Sequence, residues 1–332
     1  MPPHKTIALA GGTGTIGSSI LAALLRDQQY IPVILSRGTD KHPVGTVSSS
    51  LPDLPAYPSR RREVETRYVE YGSLESLTAA LHGVDVLIST LLIPGPESVT
   101  YQVNLLNAAI EAGVHRFAPS EFALSQEAHD SVEIDKGKII VWNAVQSAVR
   151  EGKIDAAAFP VGMFMNYLAI GIPDKAKEQE ALAGFKEGPL MFHLDEDPAW
   201  IEVPVSETGE WPDVTMTDIR NVGEFVVAAL GIQGRWGGRE LGIAGDTRNL
   251  REVVDIIRRT LGREVQGREV SAGQLRERKE KLGEWDILAK MEIDYTMICG
   301  KGGSVVRGVL NQLCPEVKPT SIKEFVERSW RS

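Results

Sequence analysis

The chain has 332 residues, 42% hydrophobic and 24% charged, which suits a folded protein with one large α/β domain and an appended lobe, or with two domains. A formal net charge of −9 argues against a general grip on nucleic-acid phosphates. Two cysteines are too few for a disulfide framework, the six histidines show no metal-ligand spacing, and no apolar run reaches the roughly 18 residues of a membrane span. With no signal-peptide pattern at its start, the chain is expected to be cytoplasmic. A small-molecule substrate is expected, with no nucleic acid, membrane or metal, and a monomer or homodimer.

In chain order, the apolar run Thr6 to Ala10 predicts a strand that ends in glycines, and Ile20, Leu21, Leu24 and Leu25 recur at helical spacing from Gly17 to Asp27. Ile31 to Leu35 predicts a second strand, with pairing expected only beyond Pro32. The segment from Thr39 to Glu63, rich in Pro, Ser and Gly and carrying Arg60-Arg61-Arg62, is expected to be a solvated mobile loop. Short strands follow at Arg67 to Glu70, Val84 to Thr90, Val114 to Ala118 and Asp155 to Phe159. Between them lie helices capped near Ser73 and spanning Val99 to Ala112 and Lys136 to Glu151. This alternation predicts an α/β fold, a Rossmann-type doubly wound parallel sheet of six strands over residues 1–160. Residues 161–332 are expected to form a smaller α/β substrate lobe, partly interleaved with the sheet. Its first part, Gly162 to Asp213, carries large apolar residues without clean periodicity, as expected of a pocket lining. A sheet element and helix are predicted over Val214 to Leu230, a strand over Glu240 to Ile243, and a helix over Leu250 to Leu261 opened by an Asn249/Glu252 capping box.

The glycine run Gly11-Gly12-Thr13-Gly14-Thr15-Ile16-Gly17 fits GxGxxG between a predicted strand and helix. A helix amino terminus presents unpaired N–H groups and partial positive charge, so a pyrophosphate is stabilised there when no Cβ blocks its approach. The second strand ends in Ser36-Arg37-Gly38, where a carboxylate would read the ribose of NAD. Arg37 offers a fork suited to a 2′-phosphate, and Lys41 would assist, so NADPH/NADP+ is the expected cofactor. Asp40 is the nearby carboxylate that would favour NAD instead.

None of the seven tyrosines is followed four residues later by lysine, so the proton donor usual in short-chain reductases is missing. The glycine run, Arg37, Arg116-Phe117-Ala118-Pro119-Ser120-Glu121-Phe122 and Trp236-Gly237-Gly238-Arg239-Glu240 together resemble the atypical short-chain reductases. The likeness is to the isoflavone reductase-like and NmrA-like branch, which includes pinoresinol-lariciresinol and phenylcoumaran benzylic ether reductases. That resemblance implies a catalytic lysine at the start of the helix after the PSEF segment. The segment Ile134-Asp135-Lys136-Gly137-Lys138-Ile139 resembles the motif, with Ile134 in place of its aromatic residue, and makes Lys136 the candidate, also near the cofactor. On a helix Lys136 shares a face with Ile139, Ile140 and Asn143, expected to turn toward the sheet, whereas Lys138 is expected to project elsewhere beside Val141 and Trp142. Lys138 is the second choice.

Further expected cofactor contacts are Thr90, Leu91, Ser120 and Val161 at strand ends. Substrate contacts are expected from Glu121, Phe122, Met163, Phe164 and Tyr167. The implied activity is an NADPH-dependent reductase delivering hydride to a conjugated alkene, quinone methide, imine or carbonyl of a small, aromatic or secondary metabolite. Two alternatives stay open: an NmrA-like redox sensor that binds dinucleotide without turnover and acts through protein partners, and an isomerase or cyclase with structural NADP(H).

Overall fold

The computed structural model describes residues 5–48, 64–93, 95, 97–129, 132 and 135–331. The triple arginine 60–62 and Ile134 lie outside them. The first half runs β1 (Lys5–Ala10), α1 (Thr15–Arg26), β2 (Tyr30–Arg37), β3 (Val47–Ser48), β4 (Glu65–Val69), α2 (Leu74–Ala80), β5 (Val86–Ser89), α3 (Glu97–Glu111), β6 (Arg116–Ala118), α4 (Gln126–His129), α5 (Lys136–Arg150) and β7 (Asp155–Ala158).

Near-continuous apolar runs such as Ile7 to Ala10 and Val86 to Ile88 are buried because helices cover both faces of the sheet, as parallel pairing requires. Alternate residues of a strand serve opposite faces. Ile7, Leu9, Ile34 and Ile88 pack with Ile20, Leu21 and Leu24 of α1. Ala8, Ala10, Leu35, Leu87 and Phe117 pack with Leu105 of α3 and with Val141, Trp142 and Val145 of α5. The Ser73 hydroxyl caps α2 by accepting from the Ser76 amide, as its position predicts.

The second half contains β8 (Met163–Phe164), a short 3-10 helix (Met165–Ala169), α6 (Lys175–Leu182), β9 (Phe192–His193), β10 (Ala199–Pro204), β11 (Asp213–Thr217), α7 (Ile219–Leu230), β12 (Arg239–Glu240), β13 (Asp246–Asn249), α8 (Leu250–Leu261), β14 (Val265–Val270), α9 (Ala272–Glu280), α10 (Ile287–Gly300), α11 (Val309–Leu313) and α12 (Ile322–Trp330). The large sheet has the order β12-β7-β6-β5-β1-β2-β4-β3, and two three-stranded sheets, β14-β10-β9 and β13-β11-β8, support the second lobe. The capping box at Asn249 and Glu252 forms as expected and opens α8.

The main sheet is larger than the six strands expected. β12 adds in parallel to β7, and β3 adds antiparallel to β4. The segment after Thr39 therefore includes an edge strand, because the outer side of β4 offers it a ladder: the amide of Gly45 donates to Tyr68 O and that of Tyr68 to Thr46 O. Pairing of β2 with β1 also begins before Pro32, at Tyr30. Only the β4 side begins after it, at Val33.

Arg116 holds the β12 end in place. Its guanidinium donates to Leu230 O at 3.2 Å, Ile232 O at 3.1 Å and Gly234 O at 2.6 Å, and lies over the buried Trp236 ring. Asp155 accepts from the amides of Trp236 and Gly237. The two sequence motifs around Arg116 and Trp236 are thus one packed unit.

Large side chains from Met163 to Phe192, expected to line a pocket, instead mostly build the second core: Met163, Met165, Tyr167, Met191 and Phe192 are all buried there. Their missing periodicity reflects short strands and turns that approach that core from several directions. Among the described residues, no helix is long and apolar enough to cross a membrane.

Candidate active site

The chain lays β1, β2 and β4 to one side, then returns through β5, β6 and β7 on the other. The reversal falls between β1 and β5, and ligands of open α/β sheets collect outside the carboxyl ends of strands at such a point.

The glycine loop sits there. Gly11 has φ +82°, open to glycine at little cost, and a Cβ on it would lie 2.9 Å from Thr90 Oγ1. A Cβ on Gly17 would lie 2.2 Å from Gly11 O, so this position must be bare for α1 to close on the loop. Gly12 is buried, Thr13 and Gly14 are exposed, and Thr15 and Ile16 are half-buried. Gly14 is the N-cap of α1, which has no side-chain cap and no acidic residue in its first turn. Helix amide groups left unpaired in this way, beside a loop with no side chain at Gly14, form a fitting cradle for a phosphate.

Thr90 donates its hydroxyl to Gly11 O at 3.0 Å and so holds β5 against the loop. Leu91 follows, half-buried. The Thr15 hydroxyl donates to Gly184 O at 2.9 Å, which ties the loop to the second lobe. Arg37 ends β2 with its side chain exposed, next to half-buried Ser36; Lys41 and Asp40 are exposed on the segment beyond. Tyr71 donates to Leu35 O at 2.9 Å beneath this edge, and burial pushes its phenol above the ordinary range despite the opposing Arg37 charge.

Beyond the carboxyl end of β6, ionisable side chains from several elements meet. Lys138 Nζ donates to Ser120 O at 3.0 Å and lies 3.7 Å from Glu121 Oε2. Glu121 is buried, and its Oε2 is 3.0 Å from Nε2 of the fully buried His129, an ion-pair contact outside hydrogen-bond alignment. His129 Nδ1 meets Asp135 Oδ2 at 3.1 Å, and Tyr295 of α10 donates to the same oxygen at 2.7 Å. Burial alone would push His129 down, but its contacts with Asp135 and Glu121 outweigh it and hold the imidazole above its ordinary value. Burial would likewise push Asp135 up; the hydrogen bond from His129 and the Lys138 charge reverse this and hold it low.

The expected faces of α5 are exchanged. Lys136 and Ile140 are exposed, whereas Lys138 shares the inward stripe of Val141, Trp142 and Val145. The reason is the helix period: residues three, four and seven positions after Lys138 are the ones that pack on the sheet. His129, Asp135 and Tyr295 carry no sequence signal for this site, since Tyr295 and Asp135 meet across 160 residues of chain.

The remaining expected contacts separate into two groups. Ser120 and Glu121 stand at the Lys138 cluster. Phe122 is buried and stacks on Phe159 with centroids 6.0 Å apart. Val161 is fully buried, and its backbone joins Ala123 O and the Thr217 hydroxyl. Met163 belongs to the second core; Phe164 meets Phe185 edge to face, and the Tyr167 hydroxyl donates to Glu187.

The family model for the NmrA-like family matches residues 3–298. The chain belongs to the NmrA-like family. Oxidoreductase BOA1 of Botryotinia fuckeliana is 27% identical over 260 residues, covering 77% of this chain and 76% of that protein. The NmrA-like chain also shares its fold with an isoflavone reductase, with TM-score 0.69, 18% identity and 98% and 99% of the two chains covered. An NADPH-dependent quinone oxidoreductase of Escherichia coli, solved with NADPH, gives TM-score 0.66, 19% identity and coverage of 96% and 98%.

Proposed function

We propose that this NmrA-like chain is an NADPH-dependent reductase of a small conjugated or aromatic metabolite, in which Lys138, rather than Lys136, handles the proton. The observation that carries this reading is the order of groups along the carboxyl edge of the sheet. Arg37 ends β2, the bare glycine loop ends β1, Thr90 follows β5, and Lys138 stands over the end of β6, in adjacent strands. Three strand intervals of about 4.8 Å put some 14 Å between the first and last, a span that suits a dinucleotide laid across the sheet rather than a mononucleotide.

Gly12 to Gly17 would hold the pyrophosphate, and Ser36, Arg37 and Lys41 the adenosine end with its 2′-phosphate. Bound NADPH supplies hydride to an electrophilic carbon such as a conjugated alkene, quinone methide, imine or carbonyl. Lys138, kept on the inward face of α5 and fixed by Ser120 O, presents an ammonium proton to the substrate oxygen or nitrogen that gains charge. Phe164 and Tyr167 stand on the side of the second lobe. The isoflavone reductase and quinone oxidoreductase to which the fold is similar support a conjugated acceptor.

The test is NADPH consumption with a panel of enones, quinones and imines. Lys138→Ala should lower turnover at least about 100-fold with NADPH affinity retained, as for loss of a general acid, while Lys136→Ala keeps most activity. Equal rates in wild type and Lys138→Ala would reject the assignment. NADPH binding without consumption of any acceptor would favour the sensor reading.

A further inference from the structure

We infer that His129 is a positioning residue for the proton step, an imidazolium clamped between Glu121 and Asp135 that keeps those two carboxylates from over-holding the Lys138 proton. The inference rests on the reading of Lys138 as the proton-handling group.

The cluster joins three parts of the fold. Glu121 follows β6, His129 closes α4, and Asp135 is the N-cap of α5, two residues before Gly137 and three before Lys138. His129 and Asp135 are almost wholly removed from solvent, as is Glu121. Charges facing His129 are Glu121 on one ring nitrogen, Asp135 on the other and Lys138 on α5, with the Tyr295 hydroxyl of α10 donating to the same Asp135 oxygen that meets His129. Among the described residues, two carboxylates and two cations balance, so this group of four is neutral while Lys138 is charged.

The balance matters because attraction between charges this close is strong where water is scarce. With His129 cationic, each carboxylate already has a partner, and Lys138 can give up its proton to leave one net negative charge. With His129 replaced by a neutral group, the same step would leave two uncompensated buried carboxylates. The lysine would then retain its proton more tightly and act as a weaker acid. In the reaction itself, an Nζ–H bond breaks as the substrate's O–H or N–H bond forms; Lys138 is left as a neutral amine until solvent returns the proton. His129 exchanges no proton in this account.

A merely structural histidine would not affect the lysine selectively, which supplies the test. In cofactor-free protein, the pH dependence of Lys138 acetylation by acetic anhydride is followed by mass spectrometry in wild type and His129→Gln. The variant should need a pH about one unit higher for half-maximal labelling, the size expected when an opposite-charge balance within a few ångströms is altered, while the labelling of Lys153 and Lys177 is unchanged. With an acceptor from the panel, kcat of His129→Gln at pH 7 should fall about tenfold and its alkaline limb move upward, with KM and NADPH affinity within about twofold of wild type. Should His129→Gln fail to fold, Tyr295→Phe removes one hydroxyl from Asp135 and should shift the same profiles in the same direction by less. An unmoved Lys138 labelling curve and an unmoved kcat profile in a folded variant overturn the inference. Full turnover by Lys138→Ala overturns instead the functional reading on which it rests.

Discussion

Adding one methyl group at Gly14 or at Gly17 separates the two roles of the glycine loop. At Gly17 the new Cβ would lie 2.2 Å from Gly11 O and 2.8 Å from Gly12 Cα, both backbone atoms that cannot turn aside. That overlap should cost about 3 kcal/mol, offset by about 1 kcal/mol from the better helix propensity of alanine. A net loss of about 2 kcal/mol lowers Tm by roughly 3 °C in a chain of this size. At Gly14 the nearest atom is Gly11 O at 3.3 Å and φ is −76°, so alanine needs a shift of only a few tenths of an ångström. Loss of a glycine N-cap should cost less than about 1 kcal/mol, yet the methyl would stand where the phosphate approaches. Gly14→Ala should therefore melt within about 2 °C of wild type and bind NADPH at least about tenfold more weakly, a difference of about 1.4 kcal/mol. Gly17→Ala should lose both stability and binding. Differential scanning calorimetry and fluorescence titration with NADPH measure the two quantities. Wild-type affinity in Gly14→Ala would refute the cradle, and a wild-type Tm in Gly17→Ala would refute the packing argument.

Arg37→Ala should weaken NADPH about 10- to 100-fold and NADH by less than about twofold, since a charge-assisted contact to the 2′-phosphate contributes roughly 1.5–3 kcal/mol; isothermal titration with both nucleotides checks this, and equal weakening counts against it. The buried ion cluster should also make stability depend on pH. His129 is raised from its ordinary 6.5, so its contribution is complete below that value and is lost as pH rises through the folded value. Asp135 is lowered from 3.8, so its contribution is present above that value and is lost as pH falls through the folded one. The Tm difference between wild type and His129→Gln should accordingly be largest just below pH 6.5 and shrink as pH rises above that value; a difference that grows with pH would contradict the assigned charges.

The glycine-loop end of this protein is written in short stretches of chain. Strand, glycines and helix follow one another within Lys5–Arg26, and backbone geometry, capping and burial period act over only a few residues, so the loop, Arg37 at the strand end and the capping box at Asn249 are all legible from the sequence. The inward placement of Lys138 was within reach of the same logic. Val141, Trp142 and Val145 mark the inward stripe of α5, and Lys138 stands at its head. Other features had no local signal. β12 lies beside β7 in the main sheet where Arg116 and Asp155 hold the segment around Trp236, and Tyr295 of α10 reaches Asp135 across 160 residues of chain. Such contacts depend on how separate segments pack and which buried charges must find partners, and only the tertiary structure brings those segments together.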